Sequence, residues 1–347
     1  MQIIVHPTEH IKDGYRVEEY VMQNDHGFEI KLSNFGCTLM NLFWPNQDGT
    51  SDDILLGYDR IEEWFEDKSF FGSTAGRCCN RIRDSKVIIG GQEYILNANI
   101  PPHQLHGGIV GFNKKMWRGY PFVKEQHVGV TMYYNSRHLE EGYPGNLSLE
   151  ATIALDNKNQ LIIEYRATTD AFTICNITTH PYFNLDRSRD ILDHTLWIDA
   201  DHVTEMDQDL LTNGKLISVN ETPFDFRTPA EIRSPLSNPH QQIILAEGID
   251  HNYVLNQHEV EVAIASLNSE INGRKISLFT NQPGIQLYTG NHLNLIGKNG
   301  MNYQKHAGIC LETQGFPNAV NIESFPSVLL RPEEQYYSYS KIEMLNC

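Results

Sequence analysis

No two cysteines in this sequence stand at Cys-x-x-Cys spacing. That excludes a zinc ribbon and a thioredoxin-type redox pair. The six cysteines are Cys37, Cys78, Cys79, Cys175, Cys310 and Cys347. Adjacent Cys78 and Cys79 make a poor structural disulfide, so reduced thiols and a cytoplasmic setting are expected. Basic charge is scarce: 27 Lys and Arg stand against 44 Asp and Glu, for a net charge of −17. Nucleic acid and anionic membrane both ask for a basic footprint, so neither is an expected partner. No apolar run approaches the ~18 residues of a membrane span. The N-terminus has neither a basic start nor a long apolar stretch, and no signal peptide is expected.

Several chemical signatures are missing as well. No Gly-x-Ser-x-Gly is present, so nothing points to a serine-hydrolase elbow. No Gly-x-Gly-x-x-Gly opens a helix, and no Gly-Lys-Ser/Thr completes a phosphate loop. His-Glu-x-x-His is absent. His103 and His106 stand three apart, but no nearby Cys, Asp or Glu completes a zinc set. No metal and no organic cofactor are expected.

Alternation with period two dominates what is present. Phe28, Ile30 and Leu32 alternate with charged residues, and Val128, Val130, Met132 and Tyr134 repeat the pattern. Leu147 through Leu155 alternates, turns at Asp156-Asn157-Lys158-Asn159, and resumes at Leu161, Ile163 and Tyr165. That predicts a β-hairpin. Further strands are expected at Leu196–Ile198, Val260–Ile264, Ile276–Leu278, Ile285–Leu287 and, last, Val328–Leu330. Helical spacing is rare. Ile61, Trp64 and Phe65 predict one short helix within 60–68, and Pro229 to Arg233 a helical turn. Many short strands divided by Gly, Asn and Pro imply an all-β fold, a large sandwich or barrel. Forty per cent hydrophobic residues suffice for a sizeable core. No linker, repeat or boundary divides residues 1–347, so a single domain is expected.

Polar clusters interrupt this pattern. Gly76-Arg77-Cys78-Cys79-Asn80-Arg81-Ile82-Arg83 brings three arginines and an amide together. Such a set suits hydroxyls or a carboxylate, and equally a solvated basic turn. In His103-Gln104-Leu105-His106-Gly107-Gly108 the glycines allow close approach of backbone and ligand. In Thr178-Thr179-His180-Pro181-Tyr182-Phe183-Asn184 the proline holds His180 extended. Histidine is the side chain most readily tuned near neutral pH. Asp250 follows Gly248-Ile249 as a turn-former or a grip for hydroxyls. Gln286 follows the Pro283-Gly284 turn. Glu312 enters from Gly308-Ile309-Cys310-Leu311. Apolar neighbours strip solvation from a carboxylate and lift its pKa toward the range of a general base. An exposed strand end is the plain alternative there.

These segments together are similar to the aldose 1-epimerase (galactose mutarotase) family. The resemblance runs from Asn34-Phe35-Gly36-Cys37-Thr38 and Asp53-Ile54-Leu55-Leu56-Gly57-Tyr58-Asp59 through the clusters above. It ends with Tyr288-Thr289-Gly290-Asn291 and Cys310-Leu311-Glu312-Thr313-Gln314. Each motif alone is weak; their number and order carry the resemblance. It implies a large antiparallel β-sandwich that exchanges the α and β anomers of free aldoses such as galactose and glucose, without a cofactor. By position, Glu312 is expected as the base on the anomeric hydroxyl and His180 as the acid on the ring oxygen. The pair is expected to start a turnover as carboxylate and imidazolium. Asn80, Arg81, His106, Tyr182, Asp250 and Gln286 fall at substrate-contact positions. The chain departs from the usual pattern at Thr179, Pro181 and Cys78-Cys79.

Two other readings stay in view. A relative acting on hexose 6-phosphates needs extra cations, and Arg77 and Arg83 are the spare ones. A non-catalytic sugar-binding or regulatory protein would be expected to lack Glu312 or His180. A glycosidase wants two paired carboxylates, which Glu312 and Asp250 could supply. The expected partner is a small aldose, bound by a monomer or homodimer.

Overall fold

The strands form where the alternation lies. In Leu147–Asp156, Leu147, Leu149, Ala151, Ile153 and Leu155 are buried in turn. The chain reverses because the Asp156 carboxylate accepts the N–H groups of Lys158 and Gln160, each at 2.8 Å. That side-chain turn fixes the register of Leu147–Asp156 on Gln160–Thr169. A computed structural model describes residues 1–347 and shows almost entirely antiparallel strands.

The largest sheet has nine strands. In spatial order they are Arg118–Val123, His127–Ser136, Leu147–Asp156, Gln160–Thr169, Tyr336–Asn346, Arg274–Thr280, Ala265–Ser269, Thr195–Ile198 and Ala230–Glu231. Two five-stranded sheets accompany it. One is the N-terminal run of consecutive neighbours from Gln2–Lys12 to Ser51–Asp53. The other orders Thr212–Ser218, Ala200–Met206, Asp250–Leu255, Gly284–Tyr288 and Cys310–Gln314. Side chains of all three sheets, among them Tyr20, Leu42, Val130, Leu149, Leu278 and Leu287, belong to one buried apolar cluster. Each such side chain contributes roughly 1.5–3 kcal/mol by leaving water. The expected antiparallel β-sandwich is what the chain forms.

The second five-stranded sheet shows how one strand serves two purposes. Leu287, Leu311, Tyr253 and Ile285 enter the core from its inner face. The opposite face carries Asp250, Tyr288 and Cys310 in one cross-strand row and Asn252, Gln286 and Glu312 in the next. Successive side chains on a strand point to opposite faces, so apolar and functional residues interleave.

Some expectations need correction. Val260 to Val262 form a turn and bend, with Val262 50% exposed; only Ile264, buried and donating its N–H to the Leu278 carbonyl, meets the sheet, and the strand starts at Ala265. The turn predicted at Pro229–Arg233 is a two-residue strand, Ala230–Glu231, with the helix following at Arg233–Leu236. Val328–Leu330 keeps only Leu329–Leu330, paired with Thr173–Ile174. The last strand is instead Tyr336–Asn346, near the middle of the nine-stranded sheet. Its buried positions Ser338, Ile342 and Met344 are separated by Tyr, Ser and Lys, which dilutes the apolar period. The short helix is Ile61–Phe65, with Ile61 and Trp64 buried. No helix is long and apolar enough to cross a membrane.

Candidate active site

A cavity of about 330 Å³ opens above the Asp250–Glu312 face. Asn80, Arg81, His106, His180, Tyr182, Asp250 and Glu312 all line it. Those seven of the eight residues singled out by sequence come from five separate stretches of chain. The fold brings them together.

Asn80 and His106 hold each other. The short strand Arg81–Ile82 pairs with Gln104–Leu105. His106 N–H donates to the Asn80 carbonyl at 3.0 Å, and Asn80 N–H donates to His106 Nδ1 at 3.2 Å. With Nδ1 accepting, the ring hydrogen of neutral His106 sits on Nε2. Burial, with His180 and Arg81 nearby, holds His106 well below the ordinary imidazole range. It is therefore a neutral N–H donor. The next residue must be glycine. Gly107 has φ +91°, and a Cβ there would lie 1.8 Å from the Gly76 carbonyl oxygen. Around the cavity Phe70, Asn80 and His106 have φ of 60°, 58° and 48°. Left-handed backbone costs an L-residue about 1–2 kcal/mol, and packing must offset it.

His180 follows the strand Thr178–Thr179, which pairs with Thr74–Ala75. Its N–H donates to the Ser73 carbonyl, and its carbonyl accepts from Gly72. The imidazole stacks on Tyr182 with centroids 5.0 Å apart. The Tyr182 hydroxyl donates to the Ser69 carbonyl at 2.9 Å, so this side chain offers the cavity its ring. The departures at Thr179 and Pro181 face away from the cavity. Thr179 Oγ1 bonds the Tyr165 hydroxyl at 2.6 Å, and both residues border a small void beside Thr313.

His180 Nε2 lies 3.4 Å from Glu312 Oε1. Both are nearly inaccessible, and Glu312 Oε2 has no partner. On the other side of the ring, Cys310 Sγ is 3.5 Å from His180 Nδ1. Burial raises the Glu312 carboxyl well above its ordinary value; the nearby Asp250 adds to this and Arg81 opposes it. Burial also pushes the His180 imidazole down to about 4. These shifts work against the expected carboxylate–imidazolium start. Desolvation favours a protonated Glu312 beside a neutral His180. Both forms carry one proton, and the 3.4 Å contact is the route between them.

Asp250 faces Arg81, with Oδ2 3.5 Å from Nη1. Gln286 stands behind rather than in the cavity wall. Its Nε2 donates to Asp250 Oδ1 at 2.7 Å, and its Oε1 is buried without a partner. Arg77 and Arg83 are engaged elsewhere. The Arg77 guanidinium is buried and donates to the carbonyls of Pro144, Gly145, Ser136 and Arg137. Arg83 pairs with Asp207. His103 sits near Asp84 and Asp209, each at 3.8 Å, outside the cavity wall.

Sequence reasoning missed Lys68, Phe70, Tyr288 and His292, which also line the cavity. Tyr288 was within reach, since it lies two residues beyond Gln286 and pairs with Asp250. Lys68 and Phe70 sit on an irregular loop with no periodicity to flag them.

Nearly the whole chain is similar to known proteins. The profile of the family described as Aldose 1-epimerase matches residues 18–343. The chain is 39% identical over 327 residues to the galactose mutarotase of Homo sapiens, covering 93% of this chain and 92% of that one. It is 31% identical over 339 residues to the aldose 1-epimerase of Escherichia coli, covering 96% of each. A crystal structure of a galactose 1-epimerase from Lactobacillus acidophilus superposes with a TM-score of 0.89, at 29% identity and 99% coverage of both chains. An aldose epimerase homologue from C. elegans gives 0.87 at 30% identity, covering 94% of this chain and 98% of that one. With a sandwich fold and matches that run nearly end to end, the chain belongs to the aldose 1-epimerase family.

Proposed function

We propose that the protein is an aldose 1-epimerase that interconverts the anomers of free aldoses, galactose and glucose among them. The observation that carries this reading is the His180–Glu312 contact on the wall of a cavity lined by hydroxyl-binding groups. Glu312 takes the proton of the anomeric hydroxyl while His180 gives one to the ring oxygen. The C1–O5 bond breaks and C1 becomes an aldehyde. Rotation about C1–C2 presents its other face. Closure then returns the first proton from Glu312 to O1 and the second from O5 to His180. The cyclic sugar needs the ion-pair form and the aldehyde needs the neutral form, so one mobile proton serves both halves. Neutral His106 donates its Nε2–H toward the ring oxygen. Arg81 and Asp250, held by Gln286, grip hydroxyls. Asn80 fixes His106. The three sheets share one apolar cluster, which supports residues 1–347 acting as one domain.

Polarimetry of freshly dissolved α-galactose and α-glucose tests the reading. The approach to equilibrium should accelerate in proportion to enzyme. No acceleration with any aldose would point to a binding protein instead. Phosphorylated sugars should be poorer substrates, because Arg77 and Arg83 are engaged and only Lys68 stands uncommitted at the rim. A higher kcat/KM for glucose 6-phosphate than for glucose would favour the phosphate-sugar reading.

A further inference from the structure

The proposed epimerase chemistry uses His180 and Glu312 but leaves the third member of their cluster without a task. Cys310 precedes Glu312 by two residues on the same strand face and is fully buried. Its sulfur, a His180 ring nitrogen and a Glu312 oxygen lie within 4.8 Å of one another. No other group of three or more His, Cys, Asp or Glu in the chain meets so closely. Glu312 Oε2, buried and unpartnered, is a free acceptor at that spot.

A tetrahedral zinc ion holds N, O and S at about 2.0–2.3 Å, which sets its ligand atoms roughly 3.3–3.8 Å apart. The two short contacts use opposite ring nitrogens, Nε2 toward Glu312 and Nδ1 toward Cys310. An ion takes only one of them, so the three donor atoms, all within 4.8 Å of one another, have to close by roughly 1–1.5 Å around it.

We propose that His180, Cys310 and Glu312 form a latent site for a thiophilic divalent cation, zinc foremost, whose occupation blocks sugar binding. The site would regulate or poison the enzyme; the ion is no cofactor. Imidazole, thiolate and carboxylate together suit zinc, cobalt or cadmium, while magnesium and calcium prefer oxygen alone. Thiolate and carboxylate also neutralise a dication inside an apolar wall, where an uncompensated charge is costly. The balance is simple. The Cys310 S–H proton and the proton shared by His180 and Glu312 leave to buffer, and one dication enters with three metal–ligand bonds formed. The fourth position faces the cavity, where water can sit in the place of the sugar.

Cobalt(II) is the optical probe. The exposed C-terminal Cys347 is first changed to Ser to remove a rival thiol. Titrating this protein with cobalt chloride in a non-chelating buffer should give one equivalent of a near-ultraviolet thiolate-to-cobalt band. Saturating galactose should suppress the band, and zinc chloride should bleach it with matching inhibition. Magnesium should do neither. Cys310→Ser should abolish the band and weaken zinc, measured by equilibrium dialysis, by at least about 100-fold, beyond the usual loss from an outer-shell change. Glu312→Gln retains the thiol but loses the carboxylate ligand and should keep a weaker band that galactose still suppresses, which serves if Cys310→Ser misfolds. A wild-type titration without the band, a band that survives Cys310→Ser, or binding that galactose does not displace would each overturn the proposal. The spectral result is independent of turnover, so its failure leaves the epimerase reading standing, and the converse holds.

Discussion

Gln286, itself buried, donates to Asp250 at 2.7 Å from the strand that separates Asp250 from Glu312. The contact makes Gln286 a positioning residue that acts through a carboxylate. Gln286→Leu should therefore raise KM and lower kcat/KM by roughly 10-fold, the worth of one hydrogen bond to a charged group. Combined with Asp250→Asn, it should add little, because both changes remove one interaction. Steady-state polarimetric kinetics on the four proteins of this cycle provide the check. Full additivity would mean that Gln286 meets the sugar directly.

Glu312→Gln preserves shape and removes the base. Its kcat should fall by about 10²–10⁴-fold, and His180→Asn should fall similarly. The double variant should cost less than the product of the single losses, since the two share one proton. Near-UV circular dichroism must first show each variant folded. A folded Glu312→Gln protein that equilibrates α-galactose at the wild-type rate would end the assignment.

The pH response follows from burial. In the free enzyme the lower proton step belongs mainly to His180, near about 4, and the upper step to Glu312. Between them the pair holds one proton, the active count, so kcat/KM should fall on the acid side as His180 takes up a proton near about 4 and on the basic side as Glu312 loses its own. This inverts the usual attribution of the acid limb to the carboxylate. NMR titration of the His180 imidazole in sugar-free protein should show it neutral at pH 7. A midpoint at or above 6.5 would contradict the reading.

Stability should weaken in acid over a defined window. His251 is pushed from 6.5 to about 4 by burial. Below pH 6.5 the unfolded chain takes up a proton that folded His251 refuses until about 4, so unfolding gains as pH falls. The raised Glu312 carboxyl acts in the opposite sense and offsets the matching term from His180. At about 1.4 kcal/mol per pH unit, His251 contributes about 3 kcal/mol across that window. Calorimetry should show Tm falling between pH 6.5 and 4, less steeply in His251→Gln. A flat Tm there would mean that this imidazole protonates freely in the fold.

The sequence displayed the site better than the frame around it. Glu312, His180 and His106 stand out because short polar motifs interrupt apolar alternation, and such interruptions are local. The strand Tyr336–Asn346 was hidden because it is flanked on both sides by other strands, so its polar Ser and Tyr positions are covered by neighbours. The N-terminal strands Gln2–Lys12 and Tyr15–Gln23 carry charges on half-exposed faces and show little period. Gln286 was found by its motif, but its place behind Asp250 depends on the pairing of three distant strands. The direction of the proton between His180 and Glu312 depends on burial, which no local pattern states.

Leu311 lies in the core between Cys310 and Glu312, which face the cavity side of the same five-residue strand. A slip of this strand by one residue against Gly284–Tyr288 would turn Leu311 to the sugar and bury Glu312 among leucines. Misregistered chains would then be catalytically silent as well as poorly packed. Recovery of anomer exchange during refolding should therefore act as a clock for correct strand pairing, lagging any signal that reports β-structure alone.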